Sequence, residues 1–308
     1  MPYALAVDFG GTKVEAAIVD ENGSLLAGSR HRAATGAATD SPTLVAAVDT
    51  VAAAAIASLP TGATVAGVGI GSAGPIDVHS GTISPLNVPA WRGHPLRAQL
   101  EALVPGVPVR LQMDGLCIAL AEHWIGAARG IDNVMGMVVS TGIGGGLILG
   151  GRAVAGPSGN AGHIGHIEVG GFDEACACGG TGCLEAIASG PRTVAWARGQ
   201  GWQGSTGEEL AASHAAGDPI AQAAVERCGR ALGQAIASAT ALGDLELVAI
   251  GGGFAGVSPQ LFTVIRDTMR ARSGWSFVAK VRVVPSALSG EGPLVGAAAL
   301  IHRPEWLG

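Results

Sequence analysis

Aromatic residues make up only 4% of this 308-residue chain, with a single tyrosine, and charged residues only 14%. So little charge excludes a disordered polyelectrolyte, because the 48% of hydrophobic residues can fill a large core. Cations are scarcest, with 18 Lys and Arg against 24 Asp and Glu and no basic cluster, which argues against nucleic acid as a partner. Long apolar runs are missing too, since the Ala-rich stretch 45–59 is interrupted by Asp49 and closed by Pro60, so no membrane span is expected. No secretory leader is evident ahead of Pro2-Tyr3-Ala4-Leu5, which predicts a reducing, cytoplasmic setting. Neither a G-x-x-x-x-G-K-[ST] loop nor a helix-opening G-x-G-x-x-G is present, so P-loop and dinucleotide fingerprints are excluded.

Glycine is what the chain has in plenty, with 50 residues. An apolar run at 3–9 ends in Gly10-Gly11, a second strand follows at 12–19, and Asn22-Gly23 turns the chain into a third at 24–31. The same plan recurs at 134–139, with a glycine-rich turn over 140–146, a strand at 147–149, a Gly150-Gly151 turn and a return at 152–155. Two such meanders predict an internal duplication and two lobes facing a cleft. Between them, 109–112 reads as a strand and 115–127 as a helix, which puts the boundary near residue 115. The lobes are then residues 1–115 and 116–292, with a C-terminal helix over about 293–308 packing back on the first. A third glycine run, Gly251-Gly252-Gly253, closes a strand at 245–250.

Glycine turns after buried strands let backbone N–H groups approach phosphate oxygens, and three of them point to a nucleoside triphosphate. Asp8, at the lip of the first turn, is placed to hold Mg²⁺ through water or to cap the turn. Asp114 joins a strand to a helix, where it serves either as helix N-cap or as general base for a hydroxyl attacking phosphorus. His166, Cys176, Cys178 and Cys183 form a ligand set suited to structural Zn²⁺, which the spacing favours over disulfides or a redox C-x-C. Cys117 and Cys228 lie on helical stretches and read as small buried apolar residues.

With Asp8-x-Gly-Gly-Thr-Lys13, Ser140-Thr-Gly-Ile-Gly-Gly-Gly146 and Gly165-His166…Cys176-x-Cys178-Gly-x-x-Gly-Cys183-Leu-Glu185, the chain resembles the ROK family of bacterial sugar kinases and repressors along nearly its whole length. The resemblance implies an α/β, two-lobed actin/hexokinase-like (ribonuclease H-like) fold with a structural zinc knuckle. It implies that Asp8, Gly10, Gly11, Thr12, Lys13, Thr141, Gly142 and Gly144 bracket the phosphates of Mg²⁺-ATP, with Gly251, Gly252 and Gly253 near the adenosine. Asp114 would be the base, and Asn87, His163, His166 and Glu185 would join it around the sugar. Separately from the resemblance, a homodimer is expected. Two positions depart from the family's glucokinases. Met113 stands where Asn usually precedes the catalytic Asp, and His163 stands where Glu is usual, as in the family's N-acetylmannosamine kinases. A repressor of the family carries a winged helix-turn-helix ahead of this fold, which a phosphate motif at residue 8 leaves no room for. A sugar sensor without catalysis is the other alternative. The acceptor sugar and the donor, ATP or polyphosphate, stay open at this stage.

Overall fold

The computed structural model describes residues 2–272, 274–288 and 290–307. The chain opens with β1 (Tyr3–Phe9), β2 (Lys13–Asp20), β3 (His31–Ala34), α1 (Ser41–Ala57), β4 (Val65–Ser72), a small hairpin of β5 (Ile76–Asp77) and β6 (Thr82–Ile83), α2 (Leu96–Leu103) and β7 (Val109–Met113). Then come α3 (Asp114–Trp124), β8 (Val134–Val139), β9 (Ile143–Leu149), β10 (Arg152–Ala153), α4 (Leu184–Ala188), α5 (Gly190–Gly199), α6 (Gly207–Ala215) and α7 (Pro219–Gly243). The chain ends with β11 (Leu247–Gly251), α8 (Pro259–Arg272), α9 (Ser276–Lys280), β12 (Arg282–Pro285) and α10 (Gly292–His302).

Two five-stranded mixed sheets share one topology. Their orders are β3-β2-β1-β4-β7 and β10-β9-β8-β11-β12, each with an antiparallel meander followed by two parallel strands. Side-chain size along β1 explains how the layers stack. Leu5, Val7 and Phe9 face one way into a core with α1, while Ala4 and Ala6 face the other way toward α3 and α10. Alanine and glycine make this middle layer thin. A Cβ on Gly69 would lie 1.8 Å from Ala297 O, and one on Gly296 would lie 1.7 Å from Cys117 O. The helices α3 and α10 are therefore pressed between the two sheets, with backbones almost touching. The opposite face of the second sheet packs on α7 and its neighbours.

Several boundaries differ from the sequence expectation. The third strand begins at His31, not at 24, because Gly28 takes φ +78° and Ser29 turns its hydroxyl onto Leu26 O. The first helical residue of α3 is Asp114, and the helix ends at Trp124, short of 127. The C-terminal helix ends at His302, and a short 3-10 turn spans Pro304–Trp306. The largest difference concerns 140–146. Only Ser140–Gly142 turn, and Gly144, Gly145 and Gly146 lie inside strand β9, paired with Val138, Met137 and Gly136.

Candidate active site

The glycines of β9 organise the site, because bare backbone on both faces of a strand lets two other elements come unusually close. On one face, a Cβ on Gly146 would stand 2.3 Å from Leu116 Cα, so α3 lies directly on the strand. Gly144 lies on that same face, and a Cβ there would come within 3.9 Å of Asp114 Oδ1. On the other face, a Cβ on Gly145 would meet Ile164, within the 3-10 turn Ile164–His166. Gly165 presses in further, since its Cβ would fall 2.0 Å from Ile143 O. One strand thereby brings Asp114 and the His163–His166 turn to the same cleft.

That cleft has a volume of about 440 Å³, and Gly10, Gly11, Thr12, Asn87, Asp114, Thr141, Gly142, Gly144, His163, His166 and Glu185 all line it. Asp114 accepts a hydrogen bond from Gly115 N–H at 2.7 Å. The helix cap is Met113, whose side chain makes no capping bond, so Asp114 is not the N-cap. Burial, opposed by the Gly115 bond and helped by the charge of Glu185, pushes Asp114 up to about 6. Glu185 accepts from Ile143 N–H at 2.8 Å and lies against Gly142. Exposed Asn87 packs beside Gly11 across the opening.

Asp8 sits behind the first turn and does not line the cleft. It is 7% exposed, takes no hydrogen bond among the described residues, and burial and the charge of Asp114 push it up to about 7. A buried carboxyl without donors fits a nearby cation. Lys13 is also off the cleft wall, because Glu15, 2% exposed, draws it in together with Arg30 and Arg32. Burial opposes the charge on Glu15, yet the Lys13 and Arg32 hydrogen bonds hold it below the usual carboxylate range. Of the third glycine run, Gly253 lines a cavity. Gly251 lies against Ser286 and Gly252, at φ +98°, against Val139 O. Gly253 and Phe254 line a second cavity of about 570 Å³, and Ser140, Thr141 and Pro191 line both.

The cysteine hairpin closes beside His166. Cys176 N–H donates to Gly180 O at 2.9 Å, and Gly179 and Gly182 take positive φ at the bends. The donor atoms of His166, Cys176, Cys178 and Cys183 all lie within 4.8 Å of one another. Tetrahedral zinc with its sulfur and nitrogen ligands holds neighbouring donor atoms about 3.5–3.8 Å apart. Here Cys176 Sγ lies 3.7 Å from His166 Nδ1, and Cys178 Sγ lies 3.6 Å from Cys183 Sγ. The donor set therefore fits zinc, and His166 offers it Nδ1. All five cysteines are free thiols, and Cys117 and Cys228 are fully buried.

The ROK family model matches residues 4–304. The chain belongs to the ROK family. A glucokinase of Streptomyces coelicolor is 30% identical over 99% of both chains. An N-acetyl-D-glucosamine kinase of Yersinia pseudotuberculosis is 32% identical over 97% of this chain and 98% of its own. Among solved structures, a family glucokinase from Streptomyces griseus in complex with glucose and AMPPNP superposes with a TM-score of 0.83, at 32% identity over 98% and 99% of the two chains. A family transcriptional regulator, a homologue of the E. coli MLC protein, superposes at 0.85 and 25% identity, covering 99% of this chain and 78% of its own.

The two departures from the family pattern meet at one place. A Cβ on Gly74 would lie 3.0 Å from His163 Cε1 and 3.1 Å from Met113 Sδ, so imidazole and thioether share one wall of the cleft. Burial, then the neighbouring His166, lowers His163 from the usual imidazole value. The sequence reading missed the start of α5, where Ser189, Pro191 and Arg192 also line the cleft. Its signal was the Gly190-Pro191 pair directly after the cysteine segment, a helix start with proline in its first turn.

Proposed function

We propose that this protein is a sugar kinase that transfers the γ-phosphoryl group of Mg²⁺-ATP to the 6-hydroxyl of a hexose or N-acetylhexosamine. The observation that carries the reading is β9, which brings a half-buried carboxyl, a histidine turn beside a thiol cluster and the Ser140–Gly142 turn to one cleft. In this reading Asp114 accepts the proton of the sugar hydroxyl as its oxygen bonds to phosphorus and the bond from phosphorus to the β-phosphate oxygen breaks. An acidity near 6 suits that task, because the carboxylate is ionised at neutral pH yet basic enough to take a proton. Asn87, His163, His166 and Glu185 would hold the remaining hydroxyls, and the glycine turns would receive the phosphates through backbone N–H groups.

Zinc would be held by His166 Nδ1 and the thiolates of Cys176, Cys178 and Cys183, and when bound it fixes the tautomer and angle of the ring. His166 then presents Nε2 to the sugar. Magnesium would rest near Asp8 through water and neutralise phosphate charge. The lobes, residues 1–115 and 116–292 with the C-terminal helix returned to the first, would close over both substrates and exclude water. We place the protein in the cytoplasm as a homodimer; no helix among the described residues is long and apolar enough to cross a membrane.

The test is ADP release from Mg²⁺-ATP across a panel of hexoses and N-acetylhexosamines with zinc-replete protein. Turnover of at least one sugar is expected. The likeness to the MLC homologue favours a second reading, a sugar sensor. Sugar binding without turnover across the panel would favour the sensor and overturn the kinase.

A further inference from the structure

We propose that Arg192 is the cation that grips the phosphate chain of the donor, close to the group being transferred; the proposal rests on the kinase reading above. A triphosphate brings several negative charges into a cleft that already holds the carboxyls of Asp114 and Glu185. Among the described residues lining that cleft, Arg192 is the one Lys or Arg. The cation the motif would have supplied, Lys13, is drawn to Glu15 and lies off the wall.

The backbone delivers Arg192 to the phosphates. Gly190, the first residue of α5, donates its N–H to Ser140 O at 2.8 Å. A Cβ at position 190 would lie 3.1 Å from that oxygen, so glycine permits the close approach. The first turn of α5 is thereby fastened to the Ser140–Gly142 turn. Arg192 projects from that same first turn, is exposed, and makes no ion pair or hydrogen bond among the described residues. Its neighbours Pro191 and Thr141 line both cavities. Arg192 lines the first cavity beside the junction that these residues form, between Asp114 at one end and Gly253 and Phe254 at the other. With the nucleoside against Phe254 and the sugar against Asp114, the phosphates span this junction. The helix N-terminus adds partial positive charge there, and a guanidinium engages two phosphate oxygens at once.

The test compares the wild type with Arg192→Ala and Arg192→Lys, none of which touches the core. Affinities for Mg²⁺-AMPPNP and for inorganic tripolyphosphate are measured by calorimetry, beside affinity for the acceptor sugar and the kinetic constants for ATP. Removing a charge-assisted contact should weaken AMPPNP by about 10–100-fold and raise KM for ATP, with sugar affinity unchanged. Arg192→Lys should restore part of the loss. Unchanged AMPPNP affinity and KM in Arg192→Ala would overturn the proposal, as would a wild type that binds neither AMPPNP nor tripolyphosphate. A wild type that binds AMPPNP through Arg192 yet turns over no sugar would overturn the kinase reading and leave the role of Arg192 standing.

Discussion

Replacing Asp114 with asparagine separates catalysis from stability, and the structure predicts opposite signs for the two. The amide keeps the Oδ1 that accepts from Gly115 N–H, so α3 should start unchanged. It removes the only group in the proposed mechanism that takes the sugar proton, and turnover should fall by about 10²–10⁴-fold with sugar affinity retained. Stability should rise. Burial lifts Asp114 from 3.8 to about 6, so the folded protein holds this proton more tightly than the unfolded chain. The linkage stabilises the fold below the unfolded value and is lost as pH rises through the folded one, leaving a penalty above pH 6. Two units correspond to about 3 kcal/mol at most, and opening onto the cleft reduces this to about 1–2 kcal/mol. For a chain of this size the variant should melt about 2–5 °C higher at pH 7.5 and show little gain below pH 4. Wild-type kcat should fall on the acid side with an inflection near 6. Melting curves and rates across pH 4–8 check all three. Retained turnover in Asp114→Asn, or a melting gain as large at pH 4 as at pH 7.5, would refute the reasoning.

Cys178→Ser should release the metal and raise KM for the sugar, because His166 loses the ion that fixes its ring; unchanged zinc content by elemental analysis would sink the assignment. Gly296→Ala places a methyl 1.7 Å from Cys117 O, a backbone atom that cannot swing aside, and should lower stability by at least about 3 kcal/mol in denaturant titrations. Gly28→Ala meets no atom within 4 Å and should lose only the roughly 1–2 kcal/mol of its positive φ, so equal losses would contradict the tight middle layer. Since Met113 and His163 share a wall at Gly74, the pair Met113→Asn and His163→Glu should shift preference toward glucose by more than the product of the single effects. Strictly multiplicative changes in kcat/KM would show that the two side chains do not act together.

The glycine-rich segment 140–146 shows where sequence reading succeeds and where it stops. Strand character at 134–139 and the repeated plan are local, carried by apolar runs and turn residues, and both sheets formed in one order. The cluster of His166 with three thiols was legible for the same reason, since its four residues sit close along the chain. Consecutive glycines, however, read alike whether they turn or extend. What decides is the neighbour across the gap. Gly144 and Gly146 stay bare because α3 lies on one face of β9, and Gly145 because the turn at Ile164 lies on the other. Those partners are distant in sequence, so no window around residue 145 contains them. Lys13 carries the same lesson for charge. A motif names it, but Glu15 captures it, and the acid acts there because β2 brings Arg30 and Arg32 alongside through β3. In the proposed reading a cation for the phosphates would come from another element, and Arg192 of α5 is set at the cleft through a contact between Gly190 and Ser140 that only the folded chain reveals.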